Sequence, residues 1–357
     1  MLKNNKREII YDYIRVFACV CVICIHSTDS LIKGGDYDNI WWLGITIQGI
    51  VRTGLPLFVL LSGVLALNQK EEKMSNYYFK KFIKIIIPLL IYSLIYIFIY
   101  DYDYNLSFFK ISNLLNSFKN ILSDDAYYHL WYGYMIIGIY ICVPYLRKMC
   151  ISLNDKESKN LLSLIFTIAT IKYLLPSLGI EIGIKDFIFE GWLLIFLLGY
   201  FVNKDIILKH YKLIYLLGIT SFIFYLIANR WFLQIKNLND LSITMMFQVM
   251  AIYIFFYQNK EKICKNRLIN KIIVFLSKYS WEIFLIHAYI LDTLRYMFNL
   301  WNVRNIITII LLSILTYGMS LLFAYVIHNL ITNNIQKLVK FLTTHALKIY
   351  QEHIKNT

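Results

Sequence analysis

Apolar runs of about twenty residues recur along the whole chain, separated by short polar connections rich in lysine. A hydrocarbon core about 30 Å thick takes roughly 20 residues of helix to cross, so each run predicts a membrane-crossing helix. The predicted spans are 9 to 27, 43 to 67, 83 to 100, 130 to 146, 160 to 175, 187 to 202, 213 to 229, 241 to 257, 272 to 294 and 305 to 331. They make an all-α, polytopic transmembrane helix bundle of about ten spans over residues 1–331. The span at 160 to 175 is short and is interrupted by Lys172. Residues 332–357 are basic and amphipathic, which predicts a cytoplasmic tail lying at the inner membrane surface. The loop from Asp101 to Tyr128 is the longest outside connection; it either covers an outward-facing site or forms a polar cap, and a cap is the commoner outcome for such a loop.

Loop charge tests this arrangement independently, because Lys and Arg gather on the cytoplasmic side of short loops. With the N-terminus inside, and Lys84 at the entrance of its span counted with the preceding loop, 24 of the 36 basic residues fall in cytoplasmic segments, 8 in outside loops and 4 within spans. A threefold bias over ten spans predicts that both termini are cytoplasmic. The apolar run after the basic start MLKNNKREII is long and lacks a small-residue cleavage site, so it reads as a retained first span rather than a removed signal peptide.

Composition agrees. The 357 residues are 59% hydrophobic and 16% charged, and their mean hydropathy is +0.56. A soluble domain would not carry so little charge. The 29 Tyr, 24 Phe and 7 Trp suit two membrane–water interfaces. A net charge of +14 is explained by the orienting loops, so nucleic acid is not an expected partner. The six cysteines lie in spans or cytoplasmic loops, where disulfides do not form readily. Their spacing matches no zinc pattern, and no metal is expected.

Ionisable side chains inside spans are expensive, and each is therefore a functional candidate. The first span holds Asp12, Arg15 and His26. Asp12 and Arg15, three apart, can pair on one helix face. Arg15 and His26 are eleven apart, which returns to within about 20° around the helix and separates them by about 16 Å along it. On spacing alone the pair fits a snorkelling arginine and a water-facing cap as well as it fits a working site. Arg52 in the second predicted span calls for a carboxylate or carbonyl partner. His287 either faces the same cavity as His26 or packs through a hydrogen bond. Glu282, five residues before it and offset by about 140°, is poorly placed to pair with it. His129, Trp131 and Tyr132 open the fourth span, where an interfacial belt and an acceptor site explain them equally. Ser62 and Gly63 favour close helix packing over a nucleophile.

YDYIRVFACVCVICIHS, with Arg15 and His26, resembles the first helix of the acyltransferase-3 family of bacterial membrane O-acyltransferases. Four further stretches resemble that family in order: VRTGLPLFVLLSGVLAL (51 to 67), FKKFIKIIIPLLIYS (79 to 93), HLWYGYMIIGIYICVPYL (129 to 146) and SKYSWEIFLIHAYIL (277 to 291). Two positions depart from the family pattern. Ala288 follows His287 where Pro is usual, and the basic loop uses Lys80, Lys81 and Lys84 where the family favours Arg. Lysine binds phosphate as a point charge without the two-pronged fork of arginine.

The resemblance implies a bacterial cytoplasmic-membrane enzyme that moves an acyl group, by default acetyl, from cytoplasmic acyl-coenzyme A to a hydroxyl of an extracytoplasmic or lipid-linked glycan. Acyl-coenzyme A is then a donor substrate, and no cofactor is held permanently. Arg15 with Lys80, Lys81 and Lys84 would meet the coenzyme's phosphates. His26 would act as general base, with His287 as the second catalytic candidate, because imidazole titrates near working pH. Asp12, Arg52, Ser62, His129, Trp131, Tyr132 and Glu282 complete the candidate site as substrate-contacting residues. The partners this predicts are the donor, a surface polysaccharide or lipid-linked acceptor, and the bilayer; a homo-oligomer is left open. A transporter or flippase for a lipid-linked sugar is the rival reading, although the four prolines do not pair across two halves as broken-helix repeats would. A non-catalytic membrane sensor, the third reading, has no need of His26 above a basic mouth.

Overall fold

A computed structural model describes residues 8–33, 38–70, 72–123, 126–178, 180, 191–231 and 240–355. Asp124, Asp125 and the start of the predicted span at 187 lie outside the described residues. Every regular element among those described is helical. Counting helices of eight residues or more, they are α1 (Ile10–Ile32), α2 (Asn39–Val51), α3 (Gly54–Leu67), α4 (Met74–Lys81), α5 (Ile87–Tyr100), α6 (Ile111–Leu122), α7 (Trp131–Ser152), α8 (Asp155–Ala169), α9 (Trp192–Phe201), α10 (Tyr211–Trp231), α11 (Ile243–Gln258), α12 (Arg267–Met297), α13 (Ile306–Ile327) and α14 (Asn333–Lys355).

Six stretches among the described residues are long and apolar enough to cross a membrane: Ile10–Ile32, Asn39–Leu67, Met74–Tyr100, Trp131–Ser152, Tyr211–Asn229 and Ile306–Thr344. Trp192–Phe201 and Ile243–Gln258 are shorter apolar helices. At 31 residues α12 has the length, and it carries Lys271, Lys278, Glu282, Asp292 and Arg295 along it. The predicted span at 160 to 175 falls on α8 and a following π-helical turn, Thr170–Leu174. Two more π-turns, Phe82–Ile86 and His328–Thr332, lead into α5 and α14. Such turns shift side chains around the helix and recur at functional positions.

The chain forms two compact units. The first comprises residues 1–71, 142–280 and 287–317. In it α1 packs on α2 and α3, α3 on α9, and α10 on α2 and α11. The α3–α9 crossing is closed by glycine. A Cβ on Gly63 would stand 1.9 Å from the Phe196 carbonyl oxygen, and one on Gly199 would stand 2.4 Å from that of Leu60. Small residues let backbones meet in this way inside membranes, where helix association depends on close van der Waals contact. Ser62, half-buried on α3, stands beside this crossing. Arg147, 3% exposed, donates Nε to the Ala66 carbonyl at 2.9 Å and Nη1 to that of Lys70 at 3.2 Å, satisfying the end of α3.

The second unit comprises residues 72–141, 281–286 and 318–357. The Tyr78 hydroxyl donates to the Ile141 carbonyl of α7 at 2.9 Å, and Gln336 of α14 donates to the Ile83 carbonyl in the first π-turn at 2.9 Å. Within the loop from Asp101 to Tyr128 lies the amphipathic helix α6, packed against α5.

Candidate functional site

The first unit carries two polar clusters on α1. At the first, Asp12 and Arg15 pair as their spacing predicts, with Arg15 Nη1 3.3 Å from Asp12 Oδ1. Ser277 of α12 joins them. It accepts from Arg15 Nη1 at 2.8 Å and donates to Asp12 Oδ1 at 2.6 Å. One carboxylate oxygen thus receives both a cation and a hydroxyl, which stabilises a charge that is 2% exposed. Arg15 keeps 29% of its side chain exposed, so the guanidinium is oriented yet reachable.

At the second cluster His26 of α1 faces His287 of α12. Their ring centroids are 5.5 Å apart and the planes are tilted by 36°. His287 is fully buried. Sequence spacing left open whether His287 shared a cavity with His26 or only packed; the structure brings the two rings together.

The backbone around His26 is held by side chains. Gln48 of α2, 1% exposed, donates Nε2 to the Ile25 carbonyl at 2.8 Å, with Thr28 Oγ1 at 2.8 Å and Asp29 Oδ1 at 3.3 Å. Arg295 of α12 donates Nη2 to the main-chain carbonyl of His26. The same guanidinium lies 3.8 Å from Asp292 Oδ1 and stands 5.5 Å over the Trp301 ring. Arg295 and Arg52 both lie within electrostatic reach of His26. Arg52 has the carboxylate it was expected to need, since Asp240 accepts from Nε at 2.9 Å and from Nη2 at 3.3 Å.

Arg295 falls one residue past the predicted span at 272 to 294, which puts it in an outside loop by hydropathy. The structure puts it two turns beyond His287 on the same helix, with only 6% of its surface exposed. Arg295 is offset from His287 by about 80° around the helix, so a period of 3.6 residues does not single it out. Nothing in the spacing could have named Ser277, Gln48 or Asp240, which arrive from distant parts of the chain.

The other predicted residues lie in the second unit. Lys80 pairs with Glu72, and the Lys81 ammonium sits 3.5 Å from the Tyr140 ring centroid. Lys84 lies in the first π-turn. His129, 4% exposed, has Nε2 3.0 Å from the Leu285 carbonyl oxygen and packs on Tyr96 and Phe284. Tyr132 packs on Phe284 with centroids 4.9 Å apart, while Trp131 is exposed. Glu282 Oε1 lies 3.0 Å from His328 Nδ1 in the last π-turn. His328 was not singled out in the sequence. Among the described residues no group of three His, Cys, Asp or Glu has a metal-binding arrangement.

A family model described as an acyltransferase domain matches residues 9–329. A Staphylococcus aureus MRSA252 protein named "Probable poly-beta-1,6-N-acetyl-D-glucosamine export protein" is 25% identical over 342 residues, spanning 88% of this chain and 91% of that protein. A Staphylococcus epidermidis protein of the same name is 33% identical over 92 residues, 25% of each chain. No solved structure matches the chain.

Proposed function

This chain belongs to the acyltransferase-3 family, and from that premise we propose that it transfers an acyl group, acetyl by default, from acyl-coenzyme A to a hydroxyl of an extracytoplasmic glycan. The observation that carries the reading is the facing pair His26 and His287 within one packed unit, 5.5 Å apart. An amino-sugar polymer of the kind named for the staphylococcal relatives is the acceptor we favour. In this reading the donor is taken from the cytoplasmic face and the acyl group is delivered to an acceptor on the outer face.

In the reaction the acceptor oxygen attacks the thioester carbonyl. A C–O bond forms, the C–S bond breaks, and the coenzyme leaves as its thiol. His26 takes the hydroxyl proton as the C–O bond forms. His287 orients that imidazole or relays the proton, which ends on the departing sulfur as the C–S bond breaks. Arg15, aimed by Asp12 and Ser277, binds a phosphate of the donor. Arg295 and Gln48 hold the backbone that carries His26.

Export of a sugar polymer is the second reading, favoured by the relatives' printed name. The two are separated with labelled acetyl-coenzyme A supplied to inverted vesicles. Label on a lumenal glycan supports transfer, and glycan movement without label supports export. His26→Ala that leaves transfer intact in a normally folded protein refutes the base assignment.

A further inference from the structure

Helix α6 carries an apolar stripe that its own unit does not cover. Ile111, Leu115, Phe118 and Leu122 are 79%, 64%, 47% and 85% exposed. At about 100° per residue these four positions fall within an arc of roughly 60°. The packed side of the helix is elsewhere. Ser117 and Ile121 are buried, Asn113 donates to the Ser107 carbonyl at 2.9 Å, and Tyr134 donates to the Ile121 carbonyl at 2.7 Å. The apolar residues therefore point away from the protein, opposite to what a water-facing helix would show.

The ends of this segment state what covers the stripe. Ten residues lead to α6 from Tyr100, the end of the membrane-length stretch Met74–Tyr100, and eight lead from it to Trp131, the start of Trp131–Ser152. Exposed aromatics mark both joins: Tyr100, Tyr104 and Phe109 before the helix, Tyr128 and Trp131 after it. That is the side-chain class found where a chain leaves the hydrocarbon for the headgroups. Lys119 is exposed about 80° from the stripe's first residue, placed to extend towards phosphates while the stripe lies in acyl chains.

We propose that α6 is an interfacial helix, laid on the bilayer surface with Ile111, Leu115, Phe118 and Leu122 in the acyl region and with Lys110 and Lys119 on anionic headgroups. The partner is the membrane itself, which the stretches on either side of the segment are long and apolar enough to cross. This is independent of which reaction the protein performs.

The test is spin-label accessibility in the full chain, with Cys24, Cys142 and Cys264 replaced by serine. Labels are placed at Leu115→Cys and, on the polar face, at Asn116→Cys. The protein is reconstituted in nanodiscs of phosphatidylcholine with phosphatidylglycerol. An interfacial helix gives an oxygen-to-nickel-chelate accessibility ratio about threefold or more higher at 115 than at 116, because oxygen concentrates in lipid and the chelate in water. Equal ratios at the two positions overturn the proposal. So does dipolar broadening between labels at 115, which means that a second copy covers the stripe. Replacing Ile111, Phe118 and Leu122 together with serine, with the label at Leu115→Cys, should raise chelate access at 115. Unchanged access there also counts against it.

Discussion

Replacing Arg295 tests the second cluster most directly. Its guanidinium donates to the His26 carbonyl, lies 3.8 Å from Asp292 and stands over Trp301. A hydrogen bond from a charged donor contributes about 1.5–3 kcal/mol, and a cation over an indole ring contributes about 0.5–2 kcal/mol. The Asp292 contact is long and its carboxylate is 19% exposed, so it adds less than a fully buried pair would. The contributions share one side chain and do not simply add; Arg295→Ala should therefore lower stability by about 3 kcal/mol. If the loss falls on the placement of His26 in the transition state, the same energy corresponds to roughly a hundredfold in kcat, at about 1.4 kcal/mol per tenfold. KM for acyl-coenzyme A should change little, because Arg295 is not assigned to the donor. Arg295→Lys keeps the charge and one donor and should recover part of the loss. The assay is label transfer from acetyl-coenzyme A to glycan in proteoliposomes, paired with thermal unfolding in detergent. A folded Arg295→Ala protein with kcat within twofold of the parent, or with only KM raised, refutes the positioning role.

Three further outcomes follow from particular contacts. His26→Ala and His287→Ala should each reduce transfer, and the double variant should fall no further than the worse single one, since residues acting as a unit are not additive; a multiplicative loss in the transfer assay means that the rings act separately. Gly63→Ala forces a Cβ against the Phe196 carbonyl and should destabilise by about 1–3 kcal/mol or prevent assembly, read as a lower melting temperature or lost monodisperse protein; an unchanged melt contradicts the crossing. Glu282→Ala and His328→Ala should each destabilise, with a coupling of about 0.5–3 kcal/mol when the double variant is unfolded alongside them, whereas zero coupling denies the pair.

The helical character of the chain was legible because a membrane demands it: backbone groups in lipid must be satisfied internally, so apolar runs become helices. The Asp12–Arg15 contact was legible because both residues sit on one helix at a fixed spacing. Ser277 was not, since it comes from 262 residues away. Arg52 announced its need for a carboxylate, a buried guanidinium being costly alone, but its identity as Asp240 depended on tertiary packing. Arg295 was missed for a different reason. Hydropathy ends a span where charge begins, at 294 here, whereas α12 runs on to Met297 and takes the charge with it. Helix α6 escaped because its six apolar residues, interleaved with polar ones, make no apolar run; their order appears only when they are projected around an axis.

Backbone contact between α3 and α9 also fixes where nothing can pass. With Gly63 and Gly199 each leaving no room for even a methyl group, that seam is closed to a pantetheine arm or a sugar ring. A polar molecule that crosses the first unit does not pass between α3 and α9 at this crossing.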